Sequence, residues 1–248
     1  MRQNAVDLNG DVGEGVAQEE ALIPFLTSVN IACGGHAGDE RSMTEAVRRG
    51  LNAGAAIGAH PSYPDREQFG RREMAATPSL VQGWLEEQIG QLRSVAERAG
   101  VRLRHVKPHG ALYNAAARDR LLAEAIVEAV AGIDKALLLV ALAGGELAAA
   151  GWRGGLRVAA EGFVDRAYLT DGRLAMRGTP GALIENEETA IEQALRLARG
   201  ESISTLDGGL VCPRVDTLCI HGDGPNAVVF ARRLRVRLKE EGIEVRAL

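Results

Sequence analysis

The 248-residue chain carries 29 Lys and Arg against 33 Asp and Glu, a formal net charge of −4, and 46% of its residues are hydrophobic. That length can bury a substantial core, and the mixed, mildly acidic charge leaves no basic footprint for nucleic acid or anionic lipid, so a small-molecule partner is expected. Cys33, Cys212 and Cys219 lack CxxC spacing, no apolar run is long enough to span a bilayer, and the start MRQNAVDLNGD has no signal-peptide core; these features argue against a disulfide framework or structural zinc and predict a soluble, cytoplasmic protein.

In chain order, short apolar runs alternate with longer amphipathic stretches, the pattern of repeated βα units around a parallel sheet. Strands are predicted over 5–9, 28–33 and 55–60, with a helix over 40–54 between the last two. A long helix over 78–100 precedes strands at 104–109, 136–142, 156–161 and 217–222, and a third helix is predicted over 226–242. The helices end in Ala-Gly or Glu-Gly, which stop a helix because glycine accepts the left-handed geometry of a C-cap. Further strand candidates lie near 209–211 and 243–245. No linker, charge block or repeat divides the chain, so one domain over 1–248 is expected. The first turn, NGDVGEG, is not the GxGxxG of a dinucleotide fold, and the many short, evenly spaced strands favour a closed barrel of seven or eight parallel strands.

The polar residues fall at the ends of these apolar runs. Asp7, Asn9 and Asp11 end the first strand, and His36 and Asp39 follow the second. His60 ends the third, Lys107 and His109 the fourth, Glu161 the sixth, and His221 and Asp223 the last. In a parallel barrel all these ends meet on one rim, where such folds place their chemistry. One histidine alone is explained by a helix cap or a satisfied core position; four at equivalent strand ends predict a shared pocket. His105 enters its strand at the opposite end and is expected to be structural.

Glycines in DVGEG, CGGHAGD, KPHGA and HGDGPN let backbone N–H groups approach a carboxylate or phosphate, although ordinary βα turns use the same residues. The loop GAHPSYPDREQFGRRE has the prolines and aromatics of an ordered rim segment, with Arg72 or Arg71 placed to clamp an anion. Asp7, Asp11, His36, His60, Lys107 and His109 are the expected catalytic groups. Asn9, Glu14, Asp39, Arg72, Glu161, His221 and Asp223 are the expected substrate-binding groups. His36, His60 and Asp11 can together hold a divalent metal, although no HxxxH or HExxH spacing supports it; the metal-free arrangement uses carboxylates as bases and His or Lys to stabilise negative charge.

Six stretches, DLNGDVGEG, SVNIACGGHAGD, GAHPSYPDREQFGRR, VKPHGALYN, EGFVDRAY and CIHGDGPNAV, resemble in order the motifs of the LamB/YcsF family, from Asp7 to about Val228. The loop after GEG is shorter than the family's, and Glu40 stands where proline is usual. The resemblance implies a distorted TIM-like barrel similar to sugar deacetylases and glycoside hydrolases. It also implies ATP-dependent opening of the 5-oxo-L-proline lactam to L-glutamate, with Mg2+ accompanying the nucleotide and with two further subunits, B and C, as partners. A lactam is a stabilised amide, so phosphorylating its oxygen would turn a poor electrophile into a good one. The chain has no GxxxxGK[ST] loop, so ATP either binds here by another geometry or acts on the partner subunits. A metal-dependent carbohydrate deacetylase or hydrolase on the same barrel, or a non-catalytic substrate-binding subunit, are the competing functions.

Overall fold

A computed structural model of the chain describes residues 4–222 and 227–248. The first strand, β1 (Ala5–Val12), shows the principle on which the fold is built. Its Val6, Leu8 and Val12 are buried in the hydrophobic core, while Asp7, Asn9 and Asp11 bond to polar groups of neighbouring strands. Because side chains alternate faces along a strand, one segment supplies both an apolar outer layer and a polar lumen.

Helix α1 (Glu19–Leu22) and a 3₁₀ turn at Ile23–Phe25 lead to β2 (Ser28–Ala32), followed by α2 (Glu40–Asn52) and β3 (Ala56–His60). Next come α3 (Pro78–Arg98), β4 (His105–Val106), α4 (Gly110–Ala116), α5 (Arg120–Ile133), β5 (Leu138–Leu142), α6 (Glu146–Arg153) and β6 (Arg157–Phe163). The chain then runs through α7 (Glu187–Arg199), β7 (Ile203–Ser204), β8 (Leu210–Val211), β9 (Thr217–Cys219), α8 (Ala227–Glu240) and β10 (Glu244–Val245). The strands β1 to β6 pair in order and in parallel, β6 pairs with β9, and β9 returns to β1 with Asp7 opposite Thr217 and Asn9 opposite Cys219. This closes a seven-stranded parallel barrel with helices between strands, a TIM-like βα barrel as expected.

The three predicted helices form with their caps. Asp39 and Ser42 make a reciprocal capping box on α2, and Thr77 caps α3 with Pro78 in the first turn, where a missing N–H costs nothing. The strands depart from expectation in three places. The first runs on to Val12, because its last four residues find partners along β2. The fourth keeps only His105 and Val106, since Pro108 has no N–H to continue a ladder. Of the extra candidates, β8 pairs antiparallel with β7 outside the barrel, and β10 adds to the start of β1. Cys33 and Cys219 are buried free thiols and Cys212 is exposed. Among the described residues, no helix is long and apolar enough to cross a membrane.

The lumen is filled by a polar column, where most such barrels stack aliphatic layers. Asp7 accepts from Thr27, Ser28 and Thr217, at 2.7, 2.7 and 2.5 Å. One level up, Asn9 donates to Glu161 and Thr217 and accepts from Asn30. His105 occupies the space beside Gly58, where an added Cβ would lie 2.1 Å from the imidazole. Its Nε2 bonds Asn30 Oδ1 at 2.8 Å, and burial with the nearby Lys107 charge lowers its pKa to about 3. It is a neutral structural group below the rim, as its strand position predicted.

Candidate active site

Lys107, Asp11, Glu14, His60, His109 and His221 line one cavity of about 700 Å³ at the C-terminal mouth of the barrel. Lys107 forms its floor. The three N–H groups of the ammonium are shared among Glu161 Oε1 at 2.8 Å, Asn9 Oδ1 at 3.1 Å, Asp11 Oδ1 at 3.2 Å and Cys219 Sγ at 3.2 Å. Burial opposes its charge, but Asp11, Cys219 and Glu161 outweigh that penalty and raise its pKa well above the usual lysine value. Burial likewise opposes the Asp11 carboxylate, yet His60 and Lys107 hold its pKa well below the usual range. Both groups therefore stay charged at neutral pH, a preformed field under the cavity.

Beside them stand three imidazoles and a carboxylate. Glu14 Oε1 lies 2.8 Å from His36 Nε2, 3.4 Å from His109 Nδ1 and 3.9 Å from His60 Nε2. His36 and His109 stack with ring centres 3.6 Å apart, and His60 meets both edge-on. Burial lowers the pKa of His36 and, helped by His36 and His60, sends that of His109 well below normal. The loop after β3 supports this cluster. Phe69 is the one non-glycine residue at positive φ among the described residues, at 54°, and its carbonyl accepts a 3.0 Å bond from His109 Nε2 while its ring packs edge-on against His36. A left-handed bulky residue is strained, and such strain persists where surrounding contacts fix it. Gly70 follows because an added Cβ would meet His36 at 2.9 Å.

The opposite wall comes from the excursion after β6. There Asp165 accepts from His221 Nδ1 at 2.9 Å, and the His221 ring stacks on Phe163. Burial disfavours the imidazolium, but Asp165 outweighs it and raises the His221 pKa. A group whose folded pKa is raised contributes stability that is complete below its unfolded value, about 6.5, and is lost as pH rises through the folded value. The stability gap between wild type and His221→Asn, measured by urea unfolding, should therefore narrow as pH rises above about 6.5; a gap that does not change with pH would mean that His221 is neutral in the fold. The same excursion carries Arg166, Arg173 and Arg177 to the cavity, which Arg71 and Arg118 also line. Arg166 is buried, its Nε has no hydrogen-bond partner, and burial together with Arg177 lowers its pKa to about 10.

Several expected site residues lie elsewhere. Asp7, Asn9 and Glu161 belong to the buried column and do not line the cavity, because they stand lower on their strands than Asp11 and Lys107. Asp39 is exposed and spends its carboxylate on the N-cap of α2. Arg72 faces solvent near Asp65, and its neighbour Arg71 lines the cavity over the Phe69 ring. His36 sits behind His109 and Glu14 without lining the cavity. Asp223 lies outside the described residues. Sequence reasoning missed Asp165 and Arg166, although both belong to the EGFVDRAY stretch that carried the resemblance. Two groups have ligand atoms within 4.8 Å of one another, Glu14 with His36, His60 and His109, and Asp11 with Cys219 and His221. The expected trio of His36, His60 and Asp11 is thus split between them, Asp11 being engaged by Lys107 while Glu14 and His109 complete the histidine group.

Comparison with known proteins fits this geometry. The LamB/YcsF family pattern matches residues 6–248. The A subunit of the 5-oxoprolinase of Methylococcus capsulatus is 50% identical, the match covering 98% of this chain and 95% of that protein. The solved lactam utilization protein of Thermus thermophilus superposes with a TM-score of 0.91 at 45% identity, over 98% of this chain and all (100%) of that one. A family 4 carbohydrate esterase from Streptomyces lividans shares the fold at a TM-score of 0.50 and 14% identity, over 99% of this chain and 93% of that one.

Proposed function

This chain belongs to the LamB/YcsF family, and from that premise we propose that it opens the lactam ring of 5-oxo-L-proline to give L-glutamate, as the A component of an ATP-driven enzyme with B and C subunits. The observation that carries the reading is the Lys107 ammonium, buried beneath the cavity and set against Asp11. Ring opening builds negative charge on the carbonyl oxygen, and a fixed cation in a water-poor site stabilises that charge without reorganising.

ATP, with Mg2+, would supply a γ-phosphoryl group to the lactam oxygen, with ADP as the leaving group. Water then adds to the ring carbonyl carbon, the carbon–nitrogen bond breaks and the nitrogen takes a proton, leaving an acyl phosphate. A second water releases inorganic phosphate and the γ-carboxylate. In this scheme Lys107 faces the oxygen and Asp11 orients water. The low pKa of Asp11 suits it to a proton that the forming bond has already made acidic. The charged His221, held by Asp165, supplies the proton to the leaving nitrogen. The arginines at the mouth suit the phosphate or the substrate carboxylate, since guanidinium pairs with both through two parallel bonds.

The test is reconstitution with subunits B and C, following glutamate and ADP with each component omitted in turn. Glutamate should appear only when this chain, both partners, ATP and 5-oxo-L-proline are present. Equal glutamate without this chain would make it a non-catalytic component, and ATP-independent deacetylation of an N-acetyl sugar would return the site to carbohydrate chemistry.

A further inference from the structure

The histidine cluster poses a problem of lone pairs. His60 Nδ1 lies 2.7 Å from the carbonyl oxygen of Lys107, and His109 Nε2 lies 3.0 Å from that of Phe69. A carbonyl only accepts, so each of these nitrogens carries the ring's hydrogen. In the neutral rings the other nitrogens, His60 Nε2 and His109 Nδ1, are bare, and they face each other at 2.9 Å, with Glu14 Oε1 3.4 Å from His109 Nδ1 and Asp11 Oδ2 3.3 Å from His60 Nε2. Two lone pairs and a carboxylate oxygen converge on one point with nothing positive between them.

We propose that Glu14, His60 and His109 bind one divalent ion of the zinc type, through two imidazole nitrogens and one carboxylate oxygen with a fourth position for water, while His36, its ring parallel to that of His109 at 3.6 Å, donates to Glu14 from behind. Zinc takes four such ligands at about 2.0–2.2 Å, so its ligands stand about 3.3 Å apart in a tetrahedron. The contacts among these three side chains, 2.9, 3.4 and 3.9 Å, bracket that value. The outer shell is in place as well, because metal-bound histidines donate their second N–H to a carbonyl or carboxylate, as His60 and His109 do here. His36 Nε2, 2.8 Å from Glu14 Oε1, holds that carboxylate in place. The alternative filling is a proton shared between His60 and His109, which needs no metal. Ion binding at this cluster is independent of the substrate the cavity takes, so its failure would leave the lactam-opening reading untouched.

The full chain, stripped with a chelator, should take up one equivalent of Zn2+ by calorimetry and elemental analysis. With Co2+ it should give the intense visible absorption of a tetrahedral nitrogen and oxygen site, even with no substrate or partner protein present. Glu14→Gln and His109→Gln, checked for folding by circular dichroism, should each weaken Zn2+ binding by about a hundredfold or more. No uptake by the wild-type chain at millimolar Zn2+ would overturn the site in favour of the shared proton, whatever the variants do. Unchanged affinity in both folded variants would place the ion elsewhere and overturn it equally.

Discussion

Replacing Lys107 by Met should lower kcat of the reconstituted enzyme by about 10²–10³-fold while KM for 5-oxo-L-proline changes little. In the proposed reaction the ammonium on the cavity floor faces the oxygen that becomes charged, and a methionine keeps its bulk without its charge. The same change leaves Asp11 and Glu161 buried without their cation, and breaking one side of a buried pair costs about 3–5 kcal/mol of stability. The double variant Lys107→Met with Glu161→Gln separates the two effects. It removes one of the two orphaned charges and should recover part of the lost stability in urea unfolding, with turnover still low. Activity returning in step with stability would reduce Lys107 to a structural ion pair.

Asp11→Asn should lower turnover by about a hundredfold or more while the chain still folds. The amide keeps an oxygen for Asn30 Nδ2, which donates at 2.9 Å, and Lys107 keeps Glu161 at 2.8 Å. What is lost is a charge that orients water and accepts its proton. Stability supplies an independent readout with a definite sign. The folded pKa of Asp11 lies well below the unfolded value of about 3.9, so its contribution is present above that value and is lost as pH falls through the folded one. The gap between wild type and variant should be widest near neutrality and close on acidification. Wild-type turnover in Asp11→Asn would remove the carboxylate from the mechanism, and a gap that widens in acid would contradict the ionised, Lys107-paired state.

How much of this was legible in the sequence follows from the geometry of strands. An apolar run ending in a polar residue marks a strand tip, and parallel strands bring their tips together, so His60, Lys107, His109 and His221 could be placed on one rim from the sequence alone. Depth along a strand was not legible. Asp7 and Asp11 share a face, yet four residues separate them by about 13 Å, so one lies deep in the lumen and the other reaches the mouth. The position of Asp39 depended on the Gly38 turn, at φ 88°, which sends the chain away to begin a helix. Asp165, Arg166 and Arg177 come from a segment with no hydrophobic period, held by the isolated pairings Arg166–Leu183 and Tyr168–Leu174, and only the tertiary structure could bring the arginines to the cavity and Asp165 to His221.

The closure of the ring between β1 and β9 also bears on how the protein reaches its native state. Thr217 and Asp7 meet across 210 positions, and the strand ends that flank this seam carry Asp11 on one side and Cys219 and His221 on the other. Contacts so distant in sequence are slow to form, because a very long loop must be confined before any of them can reward it. A nascent chain that has not yet delivered its last barrel strand has hydrophobic helices and six strands but no complete floor beneath the cavity. A complete cavity floor and ring closure therefore arrive in the same event, and partly folded intermediates would carry exposed strand edges. A ligand that requires the finished mouth binds the native state alone, so it should hold the seam shut by mass action and protect the chain from local opening there.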